Sequence, residues 1–283
     1  MLTDHIDSLA ASILNGAISL DDALIDLEDW IVDHGNELTP ADRRAFSATL
    51  DQSSQGNNQS LIDSIMRLHT TRLLYRYDKA TAPLDNNQDA DQETDPTPYT
   101  EARATFATAL QTSEDAINEA RIDIAIANAQ HLLGNIDANR RWLDDSFERI
   151  HPLAATDLVA LAEAIPAMPM PELNWWRRIG IKLVGYNFER LAAKNRASLK
   201  TIARMQTDQV IIMAHLLGTS YEAIRERQRA NRTFRIAAYL IMRYDGMYLR
   251  DREQLREIAA DLEQAEPDAA ARLMAQAAEL NEA

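Results

Sequence analysis

The side chains best suited to bind a charged group are arginines in the last third of the chain. Arg225, Arg229 and Arg232 are spaced four and three residues apart, which places them on one face of a helix. Arg227 and Arg235 flank that face. An arginine can donate two parallel hydrogen bonds to one carboxylate or phosphate, so this spacing predicts an anion-binding surface. The alternative, which we prefer, is a solvated face whose arginine stems cover neighbouring apolar residues.

A second candidate segment, residues 175–186, combines paired tryptophans with cations. Its candidate binding residues are Trp175, Trp176, Arg177, Arg178 and Lys182. Helices that combine tryptophan, apolar residues and cations can lie among lipid headgroups, which predicts peripheral association with a membrane. The alternative, which we prefer, is that the apolar side of this segment is buried against neighbouring helices while its cations are solvated.

Both candidates lie in the one basic part of an acidic protein. The chain has a net charge of −15, yet residues 172–256 carry 17 Lys+Arg against 8 Asp+Glu, a net of +9. Residues 1–100 carry 6 against 18, a net of −12. A basic segment attracts negatively charged partners, and these include the acidic N-terminal part of the same chain. Two alternatives follow. Either the acidic N-terminal part binds and masks the basic segment, or the basic segment is exposed and binds another negatively charged molecule.

Residue patterns typical of catalysis or metal binding are not found in the sequence. The six histidines lack the i, i+4 spacing of a helical zinc site, and there is no cysteine. Phosphate-binding glycine loops, a Gly-x-Ser-x-Gly elbow and a Gly-x-Gly-x-x-Gly fingerprint are also missing. Asp85, Asp89 and Asp91 resemble a calcium loop, but Ala90 and Pro96 replace its glycine and glutamate. We therefore predict a protein that is not an enzyme and has no cofactor or metal.

The composition predicts an all-α protein. Only 8 of the 283 residues are glycine, too few for the many tight turns of a β-sandwich or barrel. Alanine, leucine, arginine, glutamate and glutamine, which favour helices, are abundant. No apolar run is long enough to span a membrane, and the acidic N-terminus is unlike a signal peptide, so we expect a cytoplasmic protein.

Apolar residues recur at helical spacing along most of the chain. Residues 6–14 and 23–31 each place their apolar side chains on one face, with Ser19 as the N-cap of the second helix. Another helix is predicted from about residue 60 to residue 77. Later breaks are expected near Thr112-Ser113, Gly134-Asn135, Gly218 and Pro267.

Composition divides the chain into five segments. Residues 80–99 are acidic, poor in apolar groups and contain three prolines, which predicts a disordered linker. Prolines also interrupt residues 166–174, which predicts a hinge. The segments are an acidic helical domain at 1–79, the linker at 80–99, an alanine-rich helical segment at 100–165, the hinge at 166–174, and a basic, aromatic helical region with an acidic tail at 175–283.

Two stretches resemble tetratricopeptide (TPR) repeats, which are pairs of antiparallel helices. In AIANAQHLLGNIDANRRWLDDSFERIHP, Gly134 takes the turn position, while Ala127 and Ser146 are the small residues at helix contacts. In VIIMAHLLGTSYEAIRERQRAN, Gly218 takes the turn and Ala230 fits the second helix. The resemblance covers about a fifth of the chain and implies a helical bundle or a short α-solenoid whose concave surface binds partner peptides.

These observations predict a non-enzymatic, soluble α-helical scaffold, adaptor or regulator. Its expected partner is another protein, bound by an acidic surface or an acidic peptide of that partner. The alternative is a nucleic-acid-binding regulator of the transcription type that uses the arginine-rich helices of residues 172–256. The net charge of −15 opposes that alternative, because binding to nucleic acid depends on contacts with phosphates. Membrane association through residues 175–186 is a third hypothesis, and no small-molecule substrate is expected.

Overall fold

The computed structural model of the protein describes residues 2–39, 58–81, 98–166, 188–249 and 251–280. In these ranges the chain is helical and contains no β-strand, so the predicted all-α fold is confirmed. The helices are α1 (Leu2–Leu14), α2 (Leu20–His34), α3 (Asn58–Thr81), α4 (Pro98–Leu132), α5 (Ile136–Ile150), α6 (Leu158–Ala164), α7 (Phe188–Ala223), α8 (Arg227–Arg243), α9 (Arg252–Leu262) and α10 (Pro267–Glu279). Short 3-10 helices cover Gly35–Glu37 and His151–Ala155.

Local signals in the sequence determine several helix ends. The Ser19 side chain accepts a hydrogen bond from the Asp22 N–H at 3.1 Å and caps α2, as predicted. Gly134, with a φ of +82°, forms the turn between α4 and α5, again as predicted. Pro267 begins α10, where its missing N–H costs no helical hydrogen bond.

The predicted break near Thr112-Ser113 is wrong, since α4 continues through both residues. Thr112 donates its hydroxyl hydrogen to the Thr108 carbonyl at 2.9 Å, a bond that leaves the helix intact. Ser113 is buried, and its hydroxyl oxygen accepts a hydrogen bond from the Gln206 amide at 3.1 Å. These polar side chains are therefore satisfied inside a continuous helix.

The predicted break at Gly218 is also wrong. Helix α7 continues through Gly218 to Ala223, and the chain turns at Arg225, whose φ is +65°. A Cβ atom at position 218 would overlap the ring of Phe234, a fully buried residue of α8. Glycine is therefore needed where α7 and α8 approach closely, and it does not form the turn expected from the TPR resemblance.

The chain forms two compact units, each assembled from separate stretches. The first unit combines Met1–Asp91, Asn118–Ser146 and Ser220–Glu226, and the second combines Gln92–Ile117, Phe147–Thr219 and Arg227–Ala283. The five segments predicted from the sequence are continuous and so do not coincide with these units. Of the predicted linker and hinge, residues 82–97 and 167–174 lie outside the described ranges, whereas Pro98 and Tyr99 begin α4.

Each unit has its own apolar core. In the first unit α1, α2 and α3 pack together, and the large side chains buried there include Ile6, Leu27, Ile31, Ile65 and Met66. In the second unit α9 and α10 pair with each other, and α10 also packs on α8. Another cluster of the second unit contains Phe106, Leu158, Ala162, Ile165 and Ala203. Burial of these apolar side chains is the main force that holds each unit together.

Candidate functional site

Helix α8 separates its residues by type around its axis. Its buried residues are Ala230, Thr233, Phe234, Ile236, Ala237, Ala238, Leu240 and Ile241. The rest of the helix includes five arginines, and the whole helix contains no aspartate or glutamate. The apolar stripe anchors α8 in the second unit, so the cations occupy the remaining side of the helix.

The outward side of α8 brings together five residues that we call the arginine face: Arg232, Arg235, Tyr239, Met242 and Arg243. Tyr239 is 52% exposed and Met242 is 53% exposed, so the face carries apolar surface among its cations. The arginine spacing in the sequence identified Arg232 and Arg235. Tyr239 and Met242 were missed, although their positions four and seven residues after Arg235 place them on the same side of a helix.

The other predicted site residues are placed differently. Arg229 lies on α8 and is partly exposed. Arg225 lies in the turn before α8, which begins at Arg227. The prediction that Arg225 shares a helical face with Arg229 and Arg232 is therefore wrong, because α7 extends as far as Ala223 and moves the turn along the chain. The remaining predicted residues lie outside the described ranges: Trp175, Trp176, Arg177, Arg178 and Lys182.

Arg232 and Arg235 form the more accessible end of the arginine face. The Arg232 guanidinium lies over the Phe147 ring, 4.9 Å from its centroid. The Arg235 side chain is 72% exposed, and its Nε lies 3.4 Å from Glu266 Oε1. An exposed ion pair of this kind contributes about 0–1 kcal/mol, so a carboxylate from a partner can compete for Arg235.

The other end of the arginine face is fixed by an internal network. Arg243 donates hydrogen bonds to Asp157 and to the Tyr239 hydroxyl. The Tyr244 hydroxyl donates to Asp157 at 2.6 Å, and burial together with this bond raises the pKa of Tyr244. Burial opposes the charge of Asp157, but hydrogen bonds from Tyr244 and from the Ala160 N–H hold the pKa of Asp157 below its ordinary value. The network therefore holds the C-terminal end of α8 in place.

A second feature, within the first unit, is a pocket of about 360 Å³ that we call the acidic pocket. It is lined by residues of α2, α3 and α5: Asp21, Leu24, Ile25, Glu28, His69, Arg141, Trp142, Asp144 and Asp145. Arg141 and Asp21 form an ion pair at 2.5 Å, and the Tyr221 hydroxyl donates to Asp144 at 2.7 Å. The lining thus offers four carboxylates and one guanidinium.

His69 is the buried histidine of the acidic pocket, with 5% of its surface exposed. Its ring lies edge-on to that of Trp142, and the two centroids are 5.9 Å apart. Burial, reinforced by Arg72 and Arg76, lowers the pKa of His69 to about 3. A hydrogen bond with the Leu24 backbone opposes this shift. His69 is therefore neutral near pH 7, and its buried Nδ1 makes no hydrogen bond.

The two arginines that act on His69 are paired with carboxylates of α4. Arg72 Nη1 lies 2.5 Å from Asp123 Oδ1, and both side chains are buried. Arg76 donates two hydrogen bonds to Glu119, at 2.8 and 3.1 Å, and these bonds raise the pKa of Arg76. Each cation near His69 therefore has its own counter-ion, and the four lining carboxylates keep the pocket acidic.

The described ranges contain no group of three or more His, Asp or Glu side chains arranged to hold a metal ion. Among the helices of these ranges, none combines the length and the hydropathy needed to cross a lipid bilayer. No protein-family model, curated protein or solved structure matches the chain. Function is therefore inferred from the geometry of the arginine face and of the acidic pocket.

Proposed function

We propose that this protein is a non-enzymatic scaffold or adaptor whose arginine face binds an acidic segment of another protein. The observation that carries the proposal is the composition of α8, which has five arginines and no acidic residue and presents Arg232 and Arg235 outward. A short peptide with glutamate or aspartate side chains can accept hydrogen bonds from these two arginines.

The apolar part of the arginine face favours a protein partner. Tyr239 and Met242 are each about half exposed and lie beside the cations. Arginine, tyrosine and methionine are enriched in the buried centres of protein–protein interfaces. An acidic segment that also carries one or two apolar side chains would therefore match both parts of the face.

Nucleic acid is the second candidate, because arginines also bind phosphates. Duplex DNA carries about one charge per 1.7 Å of its axis, so its charge extends well beyond a single helix face. Most of this chain is acidic, with a net charge of −15, and repels such an extended polyanion. A short acidic peptide covers the arginine face alone and avoids that repulsion. Masking of the basic region by residues 1–79 stays a prediction.

The test is fluorescence anisotropy of a short labelled peptide that contains Glu, Asp and two leucines, measured with the full-length protein at low and at physiological salt. We expect binding that weakens with salt. The double substitution Arg232→Gln and Arg235→Gln is expected to weaken the affinity for the peptide by about three- to thirty-fold. The reason is that each exposed charge contact contributes up to about 1 kcal/mol.

The matched control changes two exposed arginines that lie outside α8, Arg196→Gln and Arg256→Gln, and alters the net charge equally. We expect this control to bind the peptide like the unchanged protein. If both double variants lose the same amount of affinity for the peptide, the loss is a general effect of net charge and contradicts the proposal. If a short DNA duplex binds more tightly than the peptide and loses binding in the Arg232/Arg235 variant, the nucleic-acid hypothesis replaces it.

A further inference from the structure

We infer that the protein associates with further copies of itself, the outward side of α2 in one copy binding the arginine face of α8 in another. The inference rests on the proposed function and names its partner, because α2 is then the acidic segment that the arginine face binds. The charge, the exposed apolar residues and the length of the two helix faces support it.

Helix α2 is opposite in charge to α8. Its 15 residues include six aspartates and glutamates and neither lysine nor arginine, whereas α8 has five arginines and no acidic residue. Complementary charge on two surfaces determines which surfaces meet and speeds their encounter. One chain therefore supplies both halves of a complementary pair.

Five exposed residues form the outward side of α2, which we call the α2 face: Asp22, Ile25, Asp29, Val32 and Asp33. Asp29 is three or four residues from Ile25, Val32 and Asp33, a spacing that keeps these side chains on one side of a helix. The buried residues of α2, which include Leu27 and Ile31, lie on the other side.

The α2 face exposes apolar surface as well as charge. Ile25 is 60% exposed and Val32 is 64% exposed. Ile25 also lines the acidic pocket, so the negative lining of that pocket adjoins the α2 face. On α8, Tyr239 and Met242 are exposed beside the arginines. Contact between the two faces would remove these four apolar side chains from water while arginines meet aspartates.

The two faces also match in length. Asp22 and Asp33 are eleven residues apart, as are Arg232 and Arg243, and such a stretch of α-helix rises about 16 Å. Because the two faces differ, the contact is head-to-tail. Two single helix faces bury less area than a standard interface of about 1,600 Å², so we expect weak association.

The net charge of −15 opposes association of two copies. This charge is spread over the surface of a folded protein, whereas duplex DNA concentrates its charge along one rod. At physiological salt the Debye length is about 8 Å, so distant charges on two copies are largely screened while charges in contact still attract.

The test is analytical ultracentrifugation of the full-length protein at rising concentration and physiological salt. We expect the average mass to rise above that of the monomer. One variant reverses the arginine face, Arg232→Glu with Arg235→Glu, and a second reverses the α2 face, Asp29→Lys with Asp33→Lys. Each is expected to weaken association by about ten-fold or more, because attractions of up to about 1 kcal/mol become repulsions.

A mixture of the two reversed variants tests the pairing of the faces. The first variant keeps its own α2 face, and the second keeps its own arginine face. We expect the mixture to form a complex although neither variant associates alone. Because misfolded variants would not pair, this result would also show that both faces are intact. If the mixture does not associate, the inference is overturned.

The matched controls make the same charge changes at exposed residues outside the two faces: Arg196→Glu with Arg256→Glu, and Glu114→Lys with Glu263→Lys. They are expected to associate like the unchanged protein. Equal weakening in the controls would reduce the effect to net charge and overturn the inference. A mass that is independent of concentration would overturn it as well, including the case in which the arginine face is masked within one chain.

The acidic peptide separates failure of this inference from failure of the proposed function. The variant with Asp29→Lys and Asp33→Lys keeps its arginine face and is expected to bind the peptide at least as tightly as the unchanged protein. If the unchanged protein binds the peptide through Arg232 and Arg235 but stays monomeric, only self-association is overturned. If it binds neither the peptide nor a second copy, both proposals fail.

Discussion

The ring of Phe234 occupies the space that a side chain at Gly218 would need. Gly218 lies inside α7, and Phe234 is a fully buried residue of α8, so the pair marks a close approach between the two helices. Because Phe234 belongs to the stripe that anchors α8, this contact also positions the arginine face on the opposite side of the helix.

The first prediction is that Gly218→Ala destabilises the protein. Overlap with the Phe234 ring costs about 1–3 kcal/mol, while the better helix propensity of alanine returns up to about 1 kcal/mol. We expect a net loss of about 1–2 kcal/mol in the free energy of unfolding, measured by urea denaturation. The cost should shrink when Phe234→Leu is introduced first, because the smaller side chain leaves room for a methyl group. An equal cost in both backgrounds would show that the overlap is not the cause.

The second prediction concerns Asp157, which accepts hydrogen bonds from Tyr244 and Arg243. The pKa of Asp157 is lowered in the folded protein. Its charge therefore stabilises the fold above the ordinary pKa of an aspartate, and this contribution is lost as the pH falls through the lowered value. Asp157→Asn should reduce the urea midpoint at pH 7, and the difference from the unchanged protein should narrow below about pH 4.

Asp157 is the N-cap of α6, where its side chain accepts a hydrogen bond from the Ala160 N–H. Asn is also a good N-cap, so the change at Asp157 mainly removes charge. The control is Asp251→Asn at the N-cap of α9, where the carboxylate bonds to the N–H groups of Glu253 and Gln254. It should cost less stability at pH 7 than Asp157→Asn. A difference between Asp157→Asn and the unchanged protein that stays constant from pH 7 to pH 3 would contradict the prediction.

The third prediction follows from His69, whose pKa is lowered to about 3 in the folded protein. Between that value and its ordinary pKa of 6.5, the unfolded chain binds a proton that the folded protein does not. Stability therefore falls as the pH falls through this window, by up to about 1.4 kcal/mol per pH unit for this one group. In His69→Gln the fall in the free energy of unfolding between pH 6.5 and pH 5 should be smaller by roughly 1.6 kcal/mol. The measurement is the free energy of unfolding from urea denaturation as a function of pH. If it depends on pH identically in His69→Gln and in the unchanged protein, the prediction is wrong.

Much of the fold could be predicted because its determinants are local. Ser19, Gly134 and Pro267 sit at helix ends and act on backbone groups within a few residues, so the sequence contains the whole signal. The helix break predicted at Gly218 was wrong because the role of this glycine depends on Phe234, a residue of another helix. The sequence alone does not distinguish a glycine that forms a turn from a glycine that allows two helices to approach closely.

The two candidate sites differ in how far they could be predicted. Arg232 and Arg235 lie on one helix, α8. The sequence therefore identified both as candidates, Arg232 on the predicted face and Arg235 flanking it. The acidic pocket draws Glu28, His69 and Trp142 from three helices that are distant in the chain. No periodicity connects such residues, and only packing of the first unit brings them together.

The most direct test of the arginine face follows the methyl group of Met242 by NMR, with methyl-labelled methionine in the full-length protein. Met242 lies between the cations of the face, and Met205, on α7 and equally exposed, serves as the comparison. On titration with the acidic peptide, we expect the Met242 resonance to shift and saturate while that of Met205 stays in place. Saturable binding of the peptide with no change at Met242 would contradict the proposal that α8 is where the partner docks.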